Sequence, residues 1–199
     1  MFKINCRFVK IIAREGYDDI ISIIPYEKYY LKFLNFRKLY NFNKIKSIFN
    51  KINKYFKNEV QMLLFNIDCN DINSQLITTI NKVKLNKPFI VINDIFLRYN
   101  QLHLNETDIS VILCHEFGHL YYRKNLNVPS IFGKNKMWND EFYADMYSCQ
   151  FLQFLNINKI AIVEMFQKML KYGYDDDNET LDHPCISRRI EMFQCNYYK

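Results

Sequence analysis

Apolar residues recur every three or four positions along much of the chain, which is the spacing of amphipathic helices. The clearest such run, VILCHEFGHLYY, follows NETD, where Asn105 lies three residues before Asp108 as in a helix N-cap. This pattern predicts a helix over about residues 106–123. Three further helices are predicted from WNDEFYADMYSCQFLQFL, from INKIAIVEMFQKMLKY, which ends at Gly173, and from DHPCISRRIEMFQ, with Pro184 at its first position.

Two shorter apolar runs have the length and the boundaries of strands. QMLLFNI (61–67) and KPFIVIN (87–93) carry β-branched residues and are bounded by polar residues or proline. The stretch between them, residues 68–85, is ambiguous between a strand and a helix. The sequence therefore predicts an α+β fold that is mostly helical and has a small sheet.

The N-terminal third is basic, because residues 1–60 contain thirteen Lys and Arg against five Asp and Glu. Within it, residues 29–58 predict one or two amphipathic helices in which lysines surround an apolar stripe. That stripe consists of Ile45, Ile48, Phe49, Ile52, Tyr55 and Phe56. Such a helix can bind an anionic membrane or nucleic acid, or it can face the core and expose its lysines. We favour the core-facing interpretation, since no nucleic-acid motif accompanies the helix.

With 199 residues, 49% of them apolar, the chain is long enough for one globular domain with a sizeable core. We divide it into a basic helical segment, residues 1–60, that is a lid, a pro-segment or a docking region, and a domain, residues 61–199. No secretory signal and no apolar run long enough to cross a bilayer is visible, so we expect a cytoplasmic protein. Six cysteines without a CxxC pair predict buried thiols rather than disulfides.

The motif CHEFGHL, residues 114–120, carries candidate metal chemistry. His115 and His119 lie one helical turn apart, so both imidazoles project from one face and can chelate one ion. Glu116 lies about 100° around the helix from His115, too far to be a ligand but able to reach a metal-bound water. For this motif alone, a structural histidine pair on a buried helix is the alternative.

A second motif, EFYAD, strengthens the metal interpretation. Glu141 and Asp145 again lie four residues apart on a predicted helix. A catalytic zinc ion needs three protein ligands and one open position, and Glu141 would complete the set begun by the two histidines. Asp145 is placed to accept the Nδ1–H of a ligand histidine and to fix its tautomer. Gly118 and Ala144, two of the few small residues, predict that the two helices approach closely.

HEFGH, EFYAD and the later HPCISRRI together resemble the gluzincin metallopeptidases, and most closely peptidase family M48, the family of the membrane protease HtpX. That family carries HExxH, then E-x-x-A-D, then H-P-x-x-x-x-R-I, and the resemblance covers about residues 87–195. It implies a zincin-like metallopeptidase domain in which the small sheet lies beside the HExxH and ExxAD helices. It also implies one zinc ion per chain.

The resemblance further implies a role for each matched residue: the zinc ligands would be His115, His119 and Glu141, the general base Glu116, the hydrogen-bond donor to the developing oxyanion His183, and the electrostatic brace Arg189. From the residues alone, Asp182 and His183 before a proline also fit a simple helix start. On the same basis, Arg188 is a surface neighbour, His103 is structural and Cys114 belongs to the core.

The expected function is that of a zinc endopeptidase that hydrolyses a protein or peptide with a zinc-activated water. The alternatives are a regulatory protease specific for one partner protein, and a non-catalytic zinc-bound binding module that uses the basic N-terminal third. The family's membrane substrates are not implied, because no transmembrane segment is visible here. The family's Gly-rich substrate strand is reduced to KPFIVINDIF, which we expect to be an edge strand that receives an extended peptide.

Overall fold

The computed structural model describes residues 42–57, 59–65, 74–80, 83–93, 104–125, 129–131, 133, 135–172, 178–180 and 183–197. The chain divides into two compact units, residues 1–99 and 100–199. Our division after residue 60 rests on charge, and it stays a prediction. The described part of the chain is mostly helical, which confirms that part of the predicted fold class.

Helix α1, Phe42–Tyr55, is the described part of the predicted N-terminal helices, and residues 29–41 lie outside the described residues. Its apolar stripe is buried and its lysines are mostly exposed, which confirms the core-facing interpretation. The prediction is wrong for Tyr55, which belongs to the predicted stripe but is 49% exposed.

The side-chain amide of Asn53 connects the end of α1 to the backbone just before the first strand. Asn53 is buried, its Nδ2 donates to the carbonyl oxygen of Val60 at 2.8 Å, and its Oδ1 accepts from the Val60 amide N–H at 3.1 Å. A buried amide that left these bonds unmade would cost about 1–3 kcal/mol. This pair of hydrogen bonds therefore fixes where the first strand begins.

The first unit continues with three described strands: β1 (Gln61–Phe65), β2 (Ser74–Ile80) and β3 (Val83–Asn93). They pair in the order β1–β3–β2, with β1 parallel and β2 antiparallel to β3. Phe89 pairs with Gln61 of β1 and with Ile77 of β2. The side chains of Ile90 and Ile92 are fully buried.

The expectation that KPFIVINDIF is an edge strand is wrong for the part that the structure describes. Residues 89–93 belong to the central strand and have neighbours on both sides. Pro88 lacks a backbone N–H, and it is not among the residues of β3 that pair with β1 or with β2. The pairing with β1 begins at Phe89, and the pairing with β2 shifts register between Ile77 and Thr79.

The described part of the second unit contains four helices: α2 (Glu106–Lys124), α3 (Lys136–Phe154), α4 (Ala161–Lys171) and α5 (Ile186–Tyr197). Helix α2 begins at its predicted N-cap. Asn105 accepts from the Asp108 amide at 2.9 Å, and the Asp108 carboxylate accepts from the Asn105 amide at 2.8 Å. Lys168 of α4 forms an ion pair with the same carboxylate. The start of α2 is therefore fixed by its own cap and by a neighbouring helix.

Two predicted helix boundaries need correction. Helix α4 begins at Ala161 rather than near 157, because Asn158 accepts the Ile160 amide N–H at 3.0 Å and closes a turn there. Helix α5 begins at Ile186, so Pro184 lies before the helix instead of at its first position. Gly173, the predicted end of α4, lies outside the described residues.

Helix α2 is the centre of the second unit. Almost all of its side chains from residue 108 to residue 120 are buried, as in a helix that is covered on most sides. It contacts α3 and α4, and α5 contacts α3 and α4. Its fully buried side chains include Ile109, Leu113, Phe117, Phe151, Leu152 and Phe193.

Gly118 and Ala144 mark the closest approach of α2 and α3. A Cβ atom at Gly118 would lie 2.2 Å from the carbonyl oxygen of Ala144 and 2.8 Å from its Cα. The obstacle is backbone, which cannot rotate away as a side chain can. The predicted close approach of the two helices at these small residues is confirmed.

Gly118→Ala is expected to destabilise the fold by about 1–3 kcal/mol, even though alanine has the better helix propensity. Urea unfolding monitored by circular dichroism measures the loss. Adding Ala144→Gly is the control, and it should not restore stability, because the clash is with backbone atoms of residue 144. Unchanged stability of Gly118→Ala would contradict the close approach.

Two sequence-based expectations concern the cysteines and the membrane. Cys114 and Cys149 are buried thiols, as predicted, but Cys195 is exposed. Burial first, and the neighbouring Cys149 second, raise the pKa of the Cys114 thiol well above its ordinary value, which keeps it protonated. Among the described helices, none is both long enough and apolar enough to span a bilayer.

Candidate metal centre

The facing sides of α2 and α3 bring three electron-donating side chains together. His115 and His119 lie one turn apart on α2, Glu141 lies on α3, and their ligand atoms are all within 4.8 Å of one another. His119 and Glu141 are buried, and His115 is half-buried. Within the described residues, this is the group that could hold a metal ion, and it consists of the three residues that the sequence proposed as ligands.

The distances within this group match a tetrahedral ion. The Nε2 atoms of His115 and His119 are 3.1 Å apart. The Nε2 atom of His115 lies 3.4 Å from Oε2 of Glu141, and that of His119 lies 3.4 Å from Oε1. A tetrahedral zinc ion bound at about 2.0–2.1 Å separates its ligand atoms by about 3.3 Å. The observed separations are close to that value, so the three side chains could share one metal ion.

The other ring nitrogen of His115 is held by Asp145. Its Nδ1 lies 2.8 Å from Oδ1 of that carboxylate, which is the contact that the sequence predicted. Arg189 of α5 donates two hydrogen bonds to the same carboxylate, from Nε at 2.8 Å and from Nη2 at 2.7 Å. Its guanidinium lies over the Phe166 ring. An ionised acceptor at Nδ1 keeps a ring proton there, so Nε2 is the atom that would offer its lone pair to a metal ion once its own proton is displaced.

His119 has the same arrangement, from a pair of residues that the sequence analysis missed. Its Nδ1 lies 3.0 Å from Oδ1 of Asp140, and Arg123 donates to Oδ2 of Asp140 from Nε at 3.0 Å and from Nη2 at 2.6 Å. Asp140 directly precedes Glu141, and Arg123 follows His119 by one turn. Both spacings are visible in the sequence. The contacts of Asp140 with His119 and Arg123, however, depend on how α2 and α3 are aligned, which the sequence does not show.

The charges of the cluster outweigh the cost of burying them. Burial raises the pKa of Glu141, but the neighbouring histidines His119, His115 and His183 reverse this effect and hold it well below the ordinary value. Burial lowers the pKa of His115, but Asp145 and Glu141 reverse that effect and raise it to about 10. Both shifts arise from close contacts between opposite charges within the cluster.

The structure also brings His183 to this cluster. Its Nδ1 lies 3.3 Å from Oε1 of Glu141, and its side chain is 61% exposed, so it stands on the solvent side of the buried donors. The hydrogen bond to Glu141 raises the pKa of His183, against the opposing effects of burial and of the charges on Arg189 and His115. A simple helix start would not require this contact.

The remaining sequence-assigned residues fall into three groups. Glu116 is 4% exposed on α2, directly after His115. Arg188 is an exposed residue that pairs with Glu179, and Cys114 lies in the core, both as predicted. His103 lies outside the described residues.

Asp140→Asn is expected to weaken zinc binding by about 10- to 100-fold, because a neutral amide is a poorer acceptor for His119 and leaves Arg123 uncompensated beside the site. Competition with a fluorescent zinc chelator measures the affinity. Glu191→Gln removes one carboxylate charge from the exposed side of α5 and serves as the matched control. An equal loss in both variants would mean that net charge, and not the hold on His119, sets the affinity.

Comparison with known proteins assigns no family: no protein-family model, no curated protein and no solved structure matches the chain. The function is therefore argued from the site itself.

Proposed function

We propose that this chain is a zinc-dependent metalloendopeptidase. The observation that carries the proposal is the convergence of His115, His119 and Glu141, with each histidine held through Nδ1 by a carboxylate. A structural histidine pair would need partners for its rings, but it would not need two lone pairs and a carboxylate aimed at one point. Two imidazoles and one carboxylate with an open fourth position are the ligand set of a hydrolytic zinc site.

A zinc ion held by His115, His119 and Glu141 would be the Lewis acid of the site, for a substrate carbonyl and for a water molecule. Glu116 is the base that accepts the proton of the attacking water and then delivers it to the leaving amine. His183, whose pKa is raised, is a cationic hydrogen-bond donor to the developing oxyanion. Asp145 and Asp140 hold the ligand rings in the orientation that binding requires.

The same residues carry the resemblance to peptidase family M48, and on that basis we infer a zincin-like domain. The inferred substrate is a protein or peptide, because the assembled groups act on an amide carbonyl and its leaving amine. Arg189 braces the site in this proposal, since it grips Asp145 and its Nη1 lies 3.7 Å from Glu141.

The test joins metal content to cleavage. Elemental mass spectrometry of the purified chain should find about one zinc per molecule, as three preformed ligands require. An unfolded protein substrate should be cut into fragments, the cutting should stop with 1,10-phenanthroline, and added zinc should restore it. Zinc without cleavage of any substrate would overturn the enzymatic half, and a chain that binds no zinc would overturn both halves.

A further inference from the structure

Three residues on one face of α3 contact the part of the chain that follows α4. Trp138, Glu141 and Asp145 are spaced by three and four residues, so they share a face of the helix. Trp138 contacts Thr180, Glu141 contacts His183, and Asp145 contacts Arg189. The last two contacts belong to the metal centre already described, whereas the first lies outside it.

The contact of Trp138 leads directly to His183. The indole Nε1–H donates to the carbonyl oxygen of Thr180 at 3.0 Å. Three hydrogen bonds join Thr180 to His183. The Thr180 amide N–H donates to the His183 carbonyl at 3.0 Å, and the Thr180 Oγ1 accepts the His183 amide N–H at 2.9 Å and donates to the same carbonyl at 3.4 Å. Arg188 lies over the indole ring at 5.3 Å and also pairs with Glu179, which adjoins Thr180.

The exposure of His183 makes this connection important. A side chain that is 61% exposed is not packed into place by a surrounding core. Its position beside Glu141 must therefore come mainly from the backbone that carries it. That backbone is fixed on one side by α5 and on the other by the hydrogen bonds of Thr180.

We propose that Trp138 is a positioning residue, which holds His183 beside Glu141 through Thr180 and so places it to act on the reacting carbonyl. The catalytic part of this inference rests on the proposed peptidase function, whereas the hold on His183 does not.

The first experiment is Trp138→Phe, which keeps a ring for Arg188 and removes the N–H. Loss of one hydrogen bond should lower kcat by about three- to tenfold, with KM and zinc content unchanged. In a His183→Ala background the same substitution should have no further effect, because a residue that acts through His183 loses its role with it. An equal loss of kcat in both backgrounds would overturn the proposal.

A second pair of variants tests the link itself. Thr180→Val removes the hydroxyl that accepts the His183 amide, and it should lower kcat as Trp138→Phe does. Thr180→Ser keeps the hydroxyl and should restore kcat to nearly the wild-type value. Equal activity of the valine and serine variants would contradict a hold through Thr180.

A third measurement does not depend on activity. Amide hydrogen exchange by NMR should show faster exchange of the His183 N–H in Trp138→Phe than in the unmodified chain. Trp138 is the only tryptophan in the sequence, so its indole signal is assigned without ambiguity. If the chain holds no zinc and cleaves nothing, only the proposed peptidase function fails. The exchange rate of the His183 N–H still decides whether Trp138 holds His183. An unchanged rate overturns the inference.

Discussion

Glu116→Gln is expected to keep about one zinc per chain and to cleave substrate about one hundred to ten thousand times more slowly than the unmodified chain. Glutamine has the shape of glutamate, so it fits the same buried position on α2 without disturbing His115 or His119. It cannot accept the proton of the attacking water. The variant therefore separates the chemical step from metal binding, since Glu116 is not one of the three clustered ligands.

The measurement combines elemental mass spectrometry with kcat/KM on the same preparation. Glu191→Gln, at an exposed position of α5, makes the same chemical change away from the site and should lose nothing. Normal turnover by Glu116→Gln would exclude Glu116 as the base. Loss of zinc together with activity would place Glu116 in metal binding instead.

Local spacing was enough to predict the helices of the second unit and the shared face of His115 and His119. The run around HEFGH gave both the bounds of α2 and the shared face of His115 and His119, because these depend only on the period of one helix. The capping box at Asn105 is equally local. The scarcity of small residues made Gly118 informative, and the structure places it against the backbone of Ala144.

Contacts between elements were harder to predict. The Asp140–Arg123 pair behind His119 joins residues 17 positions apart, on two helices whose relative register no local pattern encodes. The contact of Trp138 with Thr180 spans 42 positions for the same reason. The sequence predicted one carboxylate in contact with the Nδ1 atom of one of the two histidines. The structure shows such a carboxylate beside each of them.

The strands show a different limit. A short apolar run such as KPFIVIN has the same appearance in an edge strand and in a central one, since its alternation says nothing of how many neighbours it pairs with. The ambiguous stretch before it contains β2, which pairs with one side of β3 while β1 pairs with the other. A β-addition site at β3 is therefore no longer part of the proposal.

Glu141→Ala is expected to abolish stable zinc binding. The substitution removes the carboxylate whose oxygens lie 3.4 Å from both Nε2 atoms, and it leaves two imidazoles, which are too few for a stable site. It also leaves the guanidinium of Arg189, whose Nη1 lies 3.7 Å from Glu141, without that anion beside the site. The variant therefore loses a ligand and one of the two anions beside Arg189, which keeps its hydrogen bonds to Asp145.

Thermal unfolding with and without zinc measures this loss. At a zinc concentration about one thousand times the Kd, the metal should stabilise the unmodified chain by about 4 kcal/mol, and it should not stabilise Glu141→Ala. Circular dichroism of both chains without metal shows whether the variant still folds, and Glu141→Gln, which preserves the packing, covers the case in which it does not. If either folded variant bound one zinc per chain with undiminished stabilisation, Glu141 would not be a ligand, and the third donor would have to be sought among the other side chains that face His115 and His119.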